Sequence, residues 1–83
     1  MKVRVRYFAS IREAVGEASE TLETSAPDLA ALRNELIAQG GARQEALGRG
    51  KAVRVALDQV MSDETAPLRE GCEVAFFPPV TGG

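Results

Sequence analysis

The residues of this chain whose types and order could do chemistry are the octet "FFPPVTGG" at 76–83. Pro78 and Pro79 have no backbone donor and a fixed φ, so they end a ladder and send the chain out extended. Val80 and Thr81 branch at Cβ and favour the same extended form. Gly82 and Gly83 carry no side chain and can thread a channel that admits only backbone. The reactive group at the tip of such a tail is the terminal carboxylate on Gly83, ionised at neutral pH with an ordinary pKa of about 3.5. A carboxylate acylates nothing until it is activated. A partner enzyme could use ATP to form an acyl-adenylate at Gly83, and a sulfur or amine nucleophile could then displace AMP. The expected working end is therefore Gly83, with Gly82, Thr81, Val80, Pro79 and Pro78 as the stem that is threaded.

Other chemistry is poorly supplied. The sequence has no histidine, which excludes Ser-His-Asp and Cys-His arrangements and any histidine-containing metal site. No metal site is expected. The single cysteine, Cys72, forms no internal disulfide and lies between Glu70 and Glu73, an acidic setting that disfavours a reactive thiolate. Its expected role is a small, partly buried strand residue just after a turn. The run Gly48-Arg49-Gly50-Lys51 lacks the spacing of a phosphate loop and is expected to be a turn.

The elements that must carry the octet are legible in the periodicities. The 83 residues fit one domain, 1–83, with 78–83 as its tail. A chain of this length buries roughly 60–65% of its unfolded surface. Residues 2–8, "KVRVRYF", alternate, with Val3, Val5 and Tyr7 inward and Lys2, Arg4 and Arg6 outward, as a half-buried strand does. One or two helical turns follow through Ile11, Ala14 and Val15, stopped by Gly16. Residues 18–24 read as an edge strand antiparallel to the first. Residues 29–39 read as the main helix, capped by Asp28, striped by Leu29, Leu32, Leu36 and Ile37, and ended by Gly40 and Gly41. Residues 42–52 are expected to be irregular, with a turn of helix at 43–47. Strands follow at 52–57 and, past a tight turn at Asp58-Gln59, at "VMS". The last strand, 72–77, ends at Pro78. One main helix covering one face of a small mixed sheet, with the first and last strands as parallel central neighbours, is the α+β arrangement of a β-grasp, ubiquitin-like fold.

Charge and hydropathy restrict the partners. Net charge is −2, the hydrophobic share 45% and the charged share 27%, and no basic stripe suits nucleic acid. No apolar run approaches the ~20 residues of a membrane helix. The N-terminus enters a strand pattern at once, unlike a signal peptide. With one cysteine, a reducing cytoplasmic setting is expected.

The octet 76–83, with "EVAFF" leading into it, "RYFASIREAVG" at 6–16 and "LAALRNEL" at 29–36, resembles the MoaD family of sulfur carriers, the small subunits of molybdopterin synthase, over the whole chain. The resemblance implies that Gly83 is adenylated by a ubiquitin-activating-like adenylyltransferase, with ATP used by that enzyme and no cofactor held permanently. It implies conversion of Gly83 to a thiocarboxylate by a persulfide or rhodanese-type sulfur donor. It implies insertion of the tail into the large catalytic subunit, in a heterotetramer, where two sulfurs pass to cyclic pyranopterin monophosphate to build the dithiolene. The chain would then be the non-catalytic, sulfur-donating subunit of that complex. Phe77 and Met61 fall where the family places apolar residues that contact partners; Met61 stands where leucine is common. Strand alternation turns only one of Phe76 and Phe77 toward the helix, and Phe77 is taken as the contact residue. Two related roles use the same tail chemistry: a sulfur carrier for thiamine thiazole synthesis and a ubiquitin-like modifier joined to lysines. The Phe-Phe-Pro-Pro stem argues against the first.

Overall fold

The computed structural model describes residues 1–79 of the chain, and within them the sheet forms by period-2 burial. Strand β1, Lys2–Tyr7, buries Val3, Val5 and Tyr7 and leaves Lys2 and Arg4 exposed. Strand β2, Ser19–Glu23, pairs with it antiparallel at the edge. Strand β5, Glu73–Phe77, lies on its other side in parallel, with Val5 opposite Val74 and Tyr7 opposite Phe76. Strands β3, Arg54–Leu57, and β4, Val60–Ser62, complete the order β2-β1-β5-β3-β4. The last strand of the chain thus occupies the middle of the sheet, as a β-grasp requires.

The β3–β4 connection is the two-residue turn expected at Asp58-Gln59. Both residues hold positive φ, 49° and 68°, which is what a primed hairpin turn demands. Asp58 braces it: its Oδ1 accepts from the Glu73 backbone N–H at 2.9 Å, and its own N–H donates to the Glu73 carbonyl at 2.8 Å.

Helix α2, Leu29–Ala38, starts where Asp28 accepts from the Ala31 N–H at 2.8 Å. Leu29, Leu32 and Leu36 are fully buried against Val3, Val5, Val55, Val74 and Phe76. Ile37 packs only partly against this core. Arg33 takes the fourth buried position. Two shorter helices share the covered face. Helix α1, Ala9–Val15, inserts Ile11 and ends at Gly16 with φ 87°. Helix α3, Gly41–Leu47, is longer than the single turn expected at 43–47, and it inserts Leu47 into the core. The segment therefore earns its order from packing, which the irregular reading of 42–52 did not include.

The boundaries shift slightly elsewhere. The main helix stops one residue short of 39, because Gln39 is its C-cap. The third strand begins at Arg54, leaving Ala52 and Val53 outside the ladder. Cys72 is buried as expected but precedes the strand instead of belonging to it, and its N–H closes a turn onto the Arg69 carbonyl. The run at 48–51 is a turn, with the Lys51 N–H on the Gly48 carbonyl at 2.8 Å.

Two polar assemblies lock the helices down. Arg33, 4% exposed, donates Nε to the Leu47 carbonyl, Nη2 to the Gly48 and Lys51 carbonyls, and Nη1 to Glu64 at 2.8 Å. Arg49 reaches the other oxygen of the same carboxylate. Burial pushes the Glu64 carboxyl up, but the hydrogen bonds from Arg49 and Arg33 outweigh it and hold the group below its ordinary pKa. On the other side, the Tyr7 hydroxyl donates to Glu20 at 2.5 Å, and Arg43 of α3 grips the same oxygen through Nε and Nη2. Burial, then the bond to Glu20, raises the Tyr7 pKa well above that of free tyrosine.

Candidate functional site: the open sheet face and the stem of the tail

The face of the sheet opposite the helices is built by the residues the core rejects. Directly opposed residues of a ladder share a face. Arg6 lies opposite Ala75, Ala75 opposite Ala56, and Ala56 opposite Met61, so one row crosses four strands. Phe77 lies opposite Arg54 in the next row, two residues beyond Ala75 on the same side. The pairing turns Phe76 into the core, where it is fully buried and stacks on Tyr7 with ring centroids 6.3 Å apart. Phe77 is half-buried on the open face. Met61 is 53% exposed on the same face, at the β4 edge.

Phe8 completes the patch. Its N–H donates to the Phe76 carbonyl, extending the β1–β5 register by one residue beyond β1. Ala9 then turns the chain into α1 with φ 51°. The Phe8 ring meets the Phe77 ring edge-on at 6.2 Å, and the Arg6 guanidinium lies over Phe8 at 5.0 Å. Ala56 and Ala75 are nearly buried although they belong to the open face and not to the core cluster. They form a low floor between Phe77 and Met61. An apolar floor with an aromatic pair on one side and a flexible thioether on the other is suited to take an apolar side chain from a partner.

The stem leaves from this patch. Pro78 and Pro79 follow Phe77 outside any ladder and are half-buried. Pro78 also borders a hollow of about 350 Å³ between α1, α3 and residues Lys51 and Ala52. Val80, Thr81, Gly82 and Gly83, the threading residues expected from the sequence, lie outside the described residues. The structure thus brings Phe77 and Met61 to the open face, while Pro78, the next residue along, borders the hollow on the helix side. Sequence reasoning missed Phe8, Ala56 and Ala75. The signal available was a pair of alanines on the outward side of two strands whose other outward residues are mostly large or charged. Among the described residues no helix is long and apolar enough to cross a membrane.

A five-stranded mixed sheet with a parallel β1–β5 centre, helices on one face and a stem leaving its middle strand defines a ubiquitin-like β-grasp protein. The comparisons place the chain more closely. The ThiS family model matches residues 5–83, and the chain belongs to that family. It is 41% identical over 81 residues to the molybdopterin synthase sulfur carrier subunit of Escherichia coli, covering 98% of this chain and 99% of that one. It is 37% identical, with the same coverage, to the protein of that name from Haemophilus influenzae. Among solved structures it matches a chain of the complex between subunits 1 and 2 of molybdopterin-converting factor from Helicobacter pylori, at 30% identity, full coverage of both chains and a TM-score of 0.71.

Proposed function

We propose that this chain is the sulfur-carrier subunit of a molybdopterin synthase, and that Gly83 is the residue that carries the sulfur. The observation that carries this reading is near-complete alignment, at 37–41% identity, with two curated carriers of that name. The geometry described above supports it, since a stem exits from the middle of the sheet beside an apolar patch suited to docking. The terminal carboxylate of Gly83 attacks the α-phosphorus of ATP on an adenylyltransferase, releasing pyrophosphate and leaving an acyl-adenylate. The terminal sulfur of a persulfide donor then displaces AMP to give an acyl disulfide, and a thiol reductant cleaves its S–S bond, leaving a thiocarboxylate on Gly83 and a thiolate on the donor. The loaded tail enters the large subunit, its sulfur bonds to cyclic pyranopterin monophosphate, and water hydrolyses the acyl–sulfur bond, leaving the sulfur on the pterin and regenerating the carboxylate. The chain contributes position and a narrow tip, while the partners contribute the catalytic groups. Phe77 and Met61 contact those partners, and Pro78 to Gly82 thread the channel. The chain acts in the cytoplasm.

The test is intact-protein mass spectrometry after incubation with adenylyltransferase, ATP and a persulfide donor, followed by addition of large subunit and cyclic pterin. The expected outcome is one oxygen-to-sulfur exchange at Gly83 and then dithiolene formation. Sulfuration of Gly83 without any transfer to the pterin would favour the thiazole carrier instead. Stable isopeptide products on lysines, with no sulfur gained, would favour a modifier.

A further inference from the structure

We infer that the partner surface received by the open sheet face is an apolar knob ringed by carboxylates, because this face surrounds Phe77 with guanidinium groups. The inference rests on the carrier reading above for the identity of the partner. The chain as a whole is acidic, with a formal net charge of −2. At the paired strand positions of its open face the balance is reversed: among the described residues, Lys2, Arg4, Arg6 and Arg54 stand there with Glu23 and Glu73 as the carboxylates. The placement is local to the apolar patch. Arg54 is the cross-strand neighbour of Phe77 itself, and Arg6 is the neighbour of Ala75, one strand over on the other side. The two cations therefore bracket the aromatic residue and its alanine floor.

Their present partners do not consume them. Arg54 and Arg4 are exposed and make no ion pair among the described residues. Arg6 is drawn to Glu73 at 3.6 Å and over the Phe8 ring, with its side chain 41% exposed. A half-exposed pair at that distance is weak and exchanges readily for a better carboxylate. Elsewhere the chain handles arginine differently: Arg33, Arg43 and Arg49 each donate several hydrogen bonds within the fold. The cations around Phe77 are the ones left facing outward beside apolar surface. Charges at the rim of an apolar anchor set the rate of encounter and reject partners of like charge. A surface bearing carboxylates around the side chain that enters between Phe77 and Met61 satisfies both parts of the patch at once.

The experiment is a titration of the full chain with its own large subunit, with association rates measured from about 50 to 500 mM salt. The unaltered chain should associate roughly tenfold or more slowly at high salt, since steering falls with ionic strength. Arg54→Glu, and Arg6→Glu separately, should reduce the low-salt rate by on the order of tenfold or more and flatten its salt dependence. Arg54→Gln should fall between them and the unaltered chain. Arg12→Glu, an equal charge change on exposed α1, should have little effect. Denaturation of each variant establishes that it folds. If the complex forms with a salt-independent rate and both reversals behave like Arg12→Glu, the inference is wrong and the carrier reading stands. If the unaltered chain does not bind the large subunit at any salt concentration, both fall together.

Discussion

Phe76 and Phe77 are chemically identical neighbours with opposite surroundings, so truncating each should fail in a different assay. Phe76 is fully buried against Tyr7. Phe76→Ala should cost about 3–5 kcal/mol of unfolding free energy through lost transfer energy and a residual cavity. Phe77 is half-buried and touches Phe8 on the open face. Phe77→Ala should cost about 1 kcal/mol or less of stability but on the order of 2 kcal/mol of binding to the large subunit. Urea titration and calorimetric binding on the same two variants separate them; a Phe77→Ala chain that unfolds easily yet binds normally would contradict the assignment. Glu64 supplies a pH prediction. Its folded-state pKa lies below the ordinary 4.5, with the arginine bonds outweighing burial. Its contribution to stability is therefore present above the unfolded value and lost as pH falls through the depressed one. The stability gap between the unaltered chain and Glu64→Gln should be constant above about pH 5.5 and narrow progressively below pH 4.5. Arg33→Met should be more damaging, at about 3–5 kcal/mol, because the Leu47, Gly48 and Lys51 carbonyls lose their donor together.

At the scale of elements, the β3–β4 turn is a poor local fit between residue type and backbone. Gln59 holds φ 68° without the freedom of glycine. Gln59→Gly should stabilise the fold by about 0.5–1 kcal/mol, seen as a raised urea midpoint, provided that Asp58 keeps its bonds to Glu73. The elements also show what periodicity carries and what it omits. Strand β1 and helix α2 were legible because one face of each is apolar at period 2 or 3.6 with a polar face opposite, and β5 was legible as a short apolar run stopped by Pro78. Helix α3 was legible only as a turn at 43–47, since it begins at Gly41 and buries only Leu47 fully, with its order fixed by contacts with α1 and α2. Arg33 hid in plain view: Leu29, Leu32, Arg33 and Leu36 occupy i, i+3, i+4 and i+7, so its position called for burial while its charge suggested solvent. The patch was half legible. Alternation turned one of Phe76 and Phe77 outward and the family resemblance chose Phe77, whereas Phe8 and the alanine floor depend on which strands are neighbours, and a single strand's sequence does not contain that.

At the scale of the whole molecule, stability and chemistry are expected to separate at the end of β5. The buried core draws on residues from Val3 to Phe76. Deleting Gly83 should therefore leave the melting transition unchanged. The deletion shifts the carboxylate by about 3.5 Å along an extended chain, and a misplacement of about 1 Å already costs roughly a hundredfold in a positioned reaction. Incubated with adenylyltransferase, ATP and sulfur donor, the shortened chain should stay folded and gain almost no sulfur. Charging at the unaltered rate would mean that Gly83 is not the carrier residue.

The central position of β5 also bears on how such a molecule comes into being. Synthesis proceeds from β1, yet the strand that β1 pairs with in parallel is the last one made, and β3 too finds its inner neighbour only then. Until Phe77 has emerged, the chain holds two separate hairpin-like pieces with exposed edges and no floor for α2 to pack on. Pairings between the ends of a sequence are slow to form, because the long loop must close before any contact rewards it. Folding is thus deferred until β5 has emerged, and a nascent chain interrupted before β5 should remain unstructured and open to proteolysis. Acquiring the fold and acquiring the strand from which the stem departs are one event, so the cell's ordinary clearance of unfolded polypeptides also removes molecules cut short of β5.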